Sequence, residues 1–170
     1  MIPEIKKILY VTDLSKNSPY AFNYAVGMAR KNEATIVILH IVEPLPSFGI
    51  GFKDFREMVE HGKKDKAHQE MEKRRKAINK LANSDIHKSV SNIIIRIGDP
   101  VEEILKVADE ERYDVIILGS HEKRFLTQTF LGSVCDAVLH RIRKPVFIIP
   151  LPLEEPKIDG SEAKIGSGTN

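Results

Sequence analysis

The chain has little cysteine and no large excess of either charge, and both shortages exclude classes of function. Cys135 is the only cysteine, so no intramolecular disulfide can form. A single cysteine is typical of a reducing compartment and leaves little for redox or metal chemistry, so we predict no metal site formed by side chains. The 26 basic and 24 acidic residues nearly cancel, so the molecule as a whole does not attract nucleic acid or anionic lipid.

Long apolar runs are also missing. Every apolar run is shorter than the roughly 18 residues that span a bilayer. The first residues pass into a strand-like run without the apolar core and cleavage site of a signal peptide, so we expect a cytoplasmic protein without membrane contact. A chain of 170 residues fits one domain, which we assign to residues 1–151. Residues 152–170 lack a core-forming pattern and are predicted to be a disordered tail.

Five short runs rich in β-branched residues alternate with segments of helical period. Several runs are continuously apolar, which is typical of parallel strands covered by helices on both faces. The alternation predicts a doubly wound α/β fold with right-handed crossovers. The predicted strands are Ile8–Val11, Thr35–Val42, Val90–Ile97, Asp114–Leu118 and Val146–Ile149.

Three of the helices between these strands have clear start signals. Ser18 is the expected N-cap of the first, with Pro19 at its first helical position. Asp99 is the expected N-cap of the third, and Glu102 is placed to reach back in a variant of the capping box. The fourth is predicted to begin at Ser133.

The second predicted helix, within residues 63–80, carries the basic run 73–76. Such a run is either a solvated helix face or a site for RNA or phosphoinositide. Acidic neighbours interrupt the run and no aromatic residues interleave with it for stacking, so the solvated face is favoured and nucleic acid is not expected as a partner.

The candidate site lies between the fourth strand and the fourth helix. In doubly wound sheets, ligands bind beyond the carboxyl ends of strands, where neighbouring connections leave in opposite directions. The fourth strand runs into Gly119, and Gly132 with Ser133 opens the fourth helix, which would place backbone N–H groups and a helix N-terminus around an anion. Asp13, at the end of the first strand, is expected to lie beside them. Glu122, however, places a carboxylate inside the same loop.

Six motifs are spread over the predicted domain. They are Lys7–Ser15, Leu39–Val42, Gly98–Pro100, Ile117–His121, Leu131–Val134 and Pro145–Ile149. Together they resemble the universal stress protein family over roughly residues 4–150. The resemblance implies a five-stranded parallel sheet in the order 3-2-1-4-5, of the adenine nucleotide α-hydrolase-like type. Many members of this family bind ATP, while others do not.

Matched position by position, the resemblance implies a site for ATP or another adenine nucleotide, which could bind together with Mg²⁺. Asp13 would contact the ribose or adenine, and the backbone of Ile41 would pair with the adenine edge. Gly119, Gly132 and the Ser133 hydroxyl would surround the phosphates. The predicted set also contains Thr12, His121, Glu122 and Val134.

Glu122 occupies the position of the second loop glycine in the ATP-binding members. Glutamate disfavours positive φ, and its charge repels a phosphate by on the order of 4 kcal/mol at 4 Å in an effective dielectric near 20. The side chain could instead swing outward or chelate Mg²⁺. A role of Glu122 as catalytic base is disfavoured, because the chain has neither a P-loop motif nor an evident partner group for such a base.

Several alternatives stay open at this stage. Asp13 either contacts ligand or only organises the turn after the first strand. His40 is more readily a hydrogen-bonded core residue than a ligand, and His121 could touch phosphate or cap a strand. We expect Cys135 to be a small buried hydrophobe.

Two functions from different classes fit the sequence. The favoured one is a non-enzymatic regulatory protein that binds an adenine nucleotide. The rival is a dimeric interaction module with a vestigial crevice, and slow ATP hydrolysis is a third option. The resemblance implies a homodimer through antiparallel pairing of the last strand, at Val146, Phe147, Ile148 and Ile149.

Overall fold

The structure is a computed structural model that describes residues 3–43, 65–82, 89–120, 123–125, 128–130 and 132–152. Five strands form a fully parallel sheet, and two short strands form a separate antiparallel pair. In chain order the strands are β1 (Lys7–Thr12), β2 (Thr35–Val42), β3 (Val90–Ile97), β4 (Val115–Ser120), β5 (Lys123–Phe125), β6 (Gln128–Phe130) and β7 (Val146–Pro150).

The large sheet has the strand order β3-β2-β1-β4-β7, which confirms the predicted order 3-2-1-4-5 with β7 as its fifth member. Two apolar cores cover its faces, and alternate residues of one strand enter different cores. Ile8 and Tyr10 of β1 belong to the first core, whereas Leu9 belongs to the second. The predicted doubly wound architecture is therefore confirmed.

Within the part of the chain that the structure describes, four helices supply the outer layers of these cores. They are α1 (Ser18–Asn32), α2 (Asp65–Ala82), α3 (Pro100–Glu110) and α4 (Ser133–Arg141). The first core contains residues of α1 together with Ile78 of α2, and the second contains residues of α3 and α4. None of the helices within the described residues combines the length and apolarity that a membrane crossing needs.

One predicted helix start needs correction, and a second is confirmed without its predicted capping box. Ser18 is not the N-cap of α1: the cap is Asn17, and the buried Ser18 hydroxyl donates to Asp13 instead. At α3, the Asp99 carboxylate accepts from the Glu102 N–H at 3.0 Å, so the predicted cap is confirmed. The Glu102 carboxylate does not complete a capping box, because it accepts two hydrogen bonds from Arg141 of α4.

The end of β4 also differs from the prediction. We expected the strand to stop at Leu118, but it continues through Gly119 and Ser120, which pair with Ile149 and Pro150 of β7. The hairpin of β5 and β6 was not predicted at all. Its strands have three residues each, and the two residues between them, Leu-Thr, lack the Asn-Gly or Gly-containing pair that signals a tight hairpin.

Candidate functional site

A crevice of about 440 Å³ opens at the carboxyl ends of β1 and β4. The chain leaves β1 towards α1 on one face of the sheet, and it continues from β4 to α4 on the other face. Neighbouring connections thus diverge here, which is the arrangement that forms ligand sites in doubly wound sheets. The volume lies within the usual range of small-molecule sites.

The crevice brings together seven of the nine residues that the sequence predicts for a nucleotide site. The other two, His121 and Glu122, lie outside the described residues. The nucleotide-binding roles of all nine stay predictions. The seven lining residues are Thr12, Asp13, Ile41, Gly119, Gly132, Ser133 and Val134.

Asp13 organises the loop between β1 and α1. Its Oδ1 accepts hydrogen bonds from the Ser15 N–H at 2.9 Å and from the Ser18 hydroxyl at 3.0 Å. The Thr12 hydroxyl donates to the Ser18 oxygen at 3.1 Å and accepts from the Leu14 N–H, also at 3.1 Å. The turn-forming role of Asp13 is therefore real, and it is compatible with a second role towards a ligand.

Leu14 holds this loop in a strained conformation. Its φ is +59°, in the left-handed region that residues other than glycine seldom adopt. The half-buried side chain packs against the first core, and the flanking hydrogen bonds of Thr12 and Asp13 fix the backbone on both sides. This strain costs about 1–3 kcal/mol, so the surrounding contacts must hold the loop in one shape.

His40 contacts the end of β1 next to the crevice but does not line the crevice. The side chain is 2% exposed, and Nδ1 lies 2.8 Å from the Thr12 carbonyl oxygen. Because a carbonyl can only accept, Nδ1 carries a proton and donates it to this bond. His40 is thus the hydrogen-bonded core residue that the sequence favoured, and it connects the end of β1 to β2.

The N-terminus of α4 forms the opposite wall of the crevice. Gly132 precedes the helix as its N-cap residue with a φ of +85° and a ψ of +141°, and it provides no side-chain cap to the first turn. The first N–H groups of a helix have no partners within it, so an uncapped end favours an anion. Gly132, Ser133 and Val134 line the crevice at this end.

Gly119 has a close packing contact that sequence reasoning missed. Its φ is not positive, and it stays in register with Ile149 of β7. A Cβ at this position would approach the Leu151 side chain to 3.2 Å. The glycine therefore makes room for Leu151, which is buried and donates its N–H to the Ser120 carbonyl at 2.9 Å.

Cys135 places its thiol beside Gly119, with the sulfur 3.5 Å from that carbonyl oxygen. Burial raises the pKa of the Cys135 thiol, so the group stays protonated at neutral pH. This environment agrees with the expected small buried hydrophobe and gives no sign of a reactive nucleophile.

The charged groups of the crevice are unevenly distributed. Asp13 follows β1 and Glu43 follows β2, whereas no lysine or arginine appears among the described residues that line the cavity. The part of the chain that the structure describes also holds no cluster of three potential metal-ligating side chains. Within the described lining, the groups that would attract an anion are the backbone N–H groups at the start of α4.

Some lining residues were missed by the sequence reasoning. Glu43 follows β2 directly and could have been found from the strand-end rule, since the strand extends through Val42. Ser18 was assigned to a cap instead of the site, and Leu151 had been treated only as the end of the domain. No sequence signal distinguishes Tyr10 as a lining residue, because it belongs to a continuous apolar run.

The sequence model of the universal stress protein family matches residues 4–150, nearly the whole described domain. The chain belongs to the universal stress protein family. A curated member from Methanocaldococcus jannaschii, universal stress protein MJ0577, is 31% identical over 156 residues, which cover 85% of this chain and 94% of that protein.

Solved structures agree with the family assignment and the fold. The structure of MJ0577 superposes with a TM-score of 0.61 at 29% identity and covers 89% of this chain and all of that chain. A universal stress protein in complex with cAMP gives 0.52 at 21% identity, with coverages of 87% and 98%. The universal stress protein from Archaeoglobus fulgidus in complex with dAMP gives 0.55 at 18% identity, with coverages of 85% and 96%. At these last two identities the likeness concerns the fold alone.

Proposed function

We propose that this universal stress protein is a non-enzymatic, cytoplasmic regulatory protein of the stress response that binds an adenine nucleotide in the crevice. The observation that carries the proposal is the uncapped N-terminus of α4 facing Asp13 and Ile41 across a cavity at the switch point of the sheet. Two proteins of the same fold hold cAMP and dAMP, which indicates the class of ligand that this fold accommodates.

The polarity of the crevice favours one orientation of the ligand. The carboxylates of Asp13 and Glu43 lie at the ends of β1 and β2, where they would accept from ribose hydroxyls but repel phosphate. The helix N-terminus lies on the β4 side, where it would bind phosphate. The nucleoside therefore extends over β1 and β2, with its phosphates towards α4.

The backbone of Ile41 is well placed for an adenine edge. The register of β1 with β2 ends at the pair Thr12 and His40, one residue before Ile41. The Val42 carbonyl accepts from the Gly98 N–H at 3.1 Å, on the β3 side. Because successive residues of a strand direct their backbone groups to opposite neighbours, those of Ile41 point towards the β1 side, where its carbonyl extends beyond the last pair of β1 with β2.

The interactions available to the phosphates determine which adenine nucleotide the crevice prefers. Backbone N–H groups and the dipole of α4 supply the attraction, since no cationic side chain lines the described part of the cavity. AMP and ADP bring fewer phosphates to the loop that contains Glu122 than ATP does, so they should bind more readily than ATP. Mg²⁺ would bind through the phosphates together with one or two carboxylates, which Glu122, Asp13 or Glu43 could supply.

Isothermal titration of the stripped protein with AMP, ADP and ATP tests the proposal. Ser133 is the first residue of α4, where proline is tolerated, so Ser133→Pro removes one N–H and the hydroxyl while the helix stays intact. The matched control Ser133→Ala removes only the hydroxyl. We expect Ser133→Pro to weaken binding by about tenfold or more and Ser133→Ala by less. Absence of heat with all three nucleotides would refute nucleotide binding.

The rival function, a dimeric interaction module, is favoured by a separate observation. Among the described strands, β7 lies at the edge of the sheet and pairs with β4 alone, and Phe147 on it is 43% exposed. We propose that the β7 strands of two copies pair antiparallel. Ile149 is 2% exposed within one copy, so the strand backbone and Phe147 would contribute more to the interface than Ile149 does.

Light scattering after size exclusion tests the pairing. A homodimer is expected, and Phe147→Asp should shift it towards monomer because it places a charge in the interface. The exposed Leu139→Asp on α4 serves as the control for a charge added outside this edge. A concentration-independent monomer in the parent protein would exclude the pairing. A dimer is compatible with either function, so the nucleotide titration separates them.

A further inference from the structure

Two buried hydroxyl groups hold the exposed carboxylate of Asp13 at the crevice. Thr12 and Ser18 are 5% and 4% exposed, whereas Asp13 is exposed and lines the crevice. The Thr12 hydroxyl lies 3.1 Å from the Ser18 hydroxyl oxygen, which in turn lies 3.0 Å from Oδ1 of Asp13. The three side chains thus form one chain of hydrogen bonds, which begins at buried groups and ends at a group that a ligand can reach.

The direction of each hydrogen bond in this chain is determined. A carboxylate can only accept, so the Ser18 hydroxyl uses its single proton for the bond to Asp13. The Thr12 hydroxyl must then donate to Ser18, and its oxygen accepts from the Leu14 N–H at 3.1 Å. Hydroxyls that accept and donate at the same time polarise one another, so the bond to Asp13 is stronger than an isolated one.

The hydrogen-bonded chain is anchored in the interior of the domain at two points. The Tyr10 hydroxyl donates to the Ser18 carbonyl oxygen at 2.9 Å. Nδ1 of His40 donates to the Thr12 carbonyl oxygen at 2.8 Å. Both anchoring side chains are buried, and close packing leaves buried side chains little freedom to move. The residues that carry the two hydroxyls are therefore fixed, and they fix the carboxylate of Asp13.

A fixed carboxylate at this position has a use in recognition of the ligand. A carboxylate has about four acceptor positions, so one that holds the loop can also accept from a ribose hydroxyl. We propose that Thr12 and Ser18 are positioning residues that orient the Asp13 carboxylate towards the ribose hydroxyls of the nucleotide, an inference that rests on the proposed function. An acceptor that is ordered before the ligand arrives loses less entropy on binding, so its orientation contributes to affinity.

Isothermal titration of the same protein with AMP and with 2′,3′-dideoxy-AMP tests this role. The dideoxy nucleotide lacks both ribose hydroxyls, so it gains nothing from an oriented Asp13. Thr12→Val keeps the shape of the side chain but removes its hydroxyl. We expect it to weaken AMP binding by about three- to tenfold and to leave dideoxy-AMP binding within about twofold of the parent.

Thr12→Ser is the matched control, because it retains the hydroxyl and removes only a methyl group. This variant should preserve the parent ratio of the two affinities. A general loss of stability would affect both ligands alike, so it cancels in the ratio.

A double-mutant cycle with Asp13→Ala separates positioning from a direct contact between Thr12 and the ligand. If Thr12 acts through Asp13, Thr12→Val should not weaken AMP binding further in the Asp13→Ala background. A fall that persists there, or an unchanged ratio of the two affinities in Thr12→Val alone, would overturn the positioning role and leave nucleotide binding intact. If the parent protein binds neither nucleotide, the proposed function is refuted and the positioning role with it.

Discussion

The Ser18 hydroxyl donates a hydrogen bond of 3.0 Å to Oδ1 of Asp13 and so ties the first residue of α1 to the crevice. The same carboxylate oxygen accepts from the Ser15 N–H. Asp13→Ala removes both bonds, and we expect the free energy of unfolding to fall by about 1–3 kcal/mol in urea denaturation.

Asp13→Asn separates the turn-forming role of Asp13 from its proposed ligand role. The amide retains an acceptor oxygen for the loop but loses the charge, so stability should stay close to that of the parent. Nucleotide affinity should fall if the carboxylate binds ribose hydroxyls. Equal affinities of Asp13→Asn and the parent would show that Asp13 serves the turn alone.

Ionisation of Tyr10 should lower the stability of the folded protein at alkaline pH. Burial raises the pKa of Tyr10 to about 12, against 10.0 for a free tyrosine, and its hydroxyl donates to the Ser18 carbonyl at 2.9 Å. Above pH 10 the unfolded chain loses this proton before the folded one, so stability declines between pH 10 and 12. The decline attributable to Tyr10 is about 2–3 kcal/mol.

Tyr10→Phe should flatten part of that alkaline decline, measured by urea denaturation at a series of pH values. Burial also raises the pKa of Tyr113 to about 12, so a residual slope is expected in the variant. At neutral pH the variant should lose only the hydrogen bond to Ser18, about 1 kcal/mol. Identical alkaline slopes in parent and variant would contradict the assignment.

Two glycine-to-alanine substitutions should have opposite effects on stability. Gly132 has a φ of +85°, so Gly132→Ala forces a strained backbone and should destabilise by about 1–2 kcal/mol. Gly27 lies inside α1 with nothing within 4 Å of an added Cβ, so Gly27→Ala should stabilise by about 0.5–1 kcal/mol. Thermal unfolding of both variants checks the pair, and a neutral Gly132→Ala would mean that its backbone relaxes freely.

Glu122, outside the described residues, is the sequence feature most relevant to ATP. If its charge is the obstacle, Glu122→Gln and Glu122→Gly should both raise ATP affinity, by up to about three decades. If the backbone needs a glycine, only Glu122→Gly should do so. Unchanged affinity in both variants would mean that the side chain points away from the phosphates. Phosphate release that disappears in Glu122→Gln would instead reveal hydrolysis.

The sheet could be predicted from the sequence because its signals are local and repeated. Runs such as Thr35–Val42 are apolar throughout, and their alternation with helices leaves few possible topologies. The strand order itself followed from the family resemblance, which rests on motifs spread over the whole domain. The position of the crevice then followed from the topology.

The details that were missed depend on contacts between distant residues. Glu102 was expected to reach back to Asp99, but Arg141, 39 residues away, offers a bidentate partner. The sequence explains Gly119 by phosphate binding, whereas the structure places the Leu151 side chain 3.2 Å from the position of an added Cβ. The local sequence around either residue contains no trace of these partners, so only the folded structure reveals them.

An anion bound at the first turn of α4 would stabilise the helix as well as be recognised by it. A phosphate that accepts from these N–H groups would replace the missing side-chain cap, which is typically worth about 1 kcal/mol to a helix. The first turn of α4 would then exchange its amide hydrogens more slowly in the presence of nucleotide.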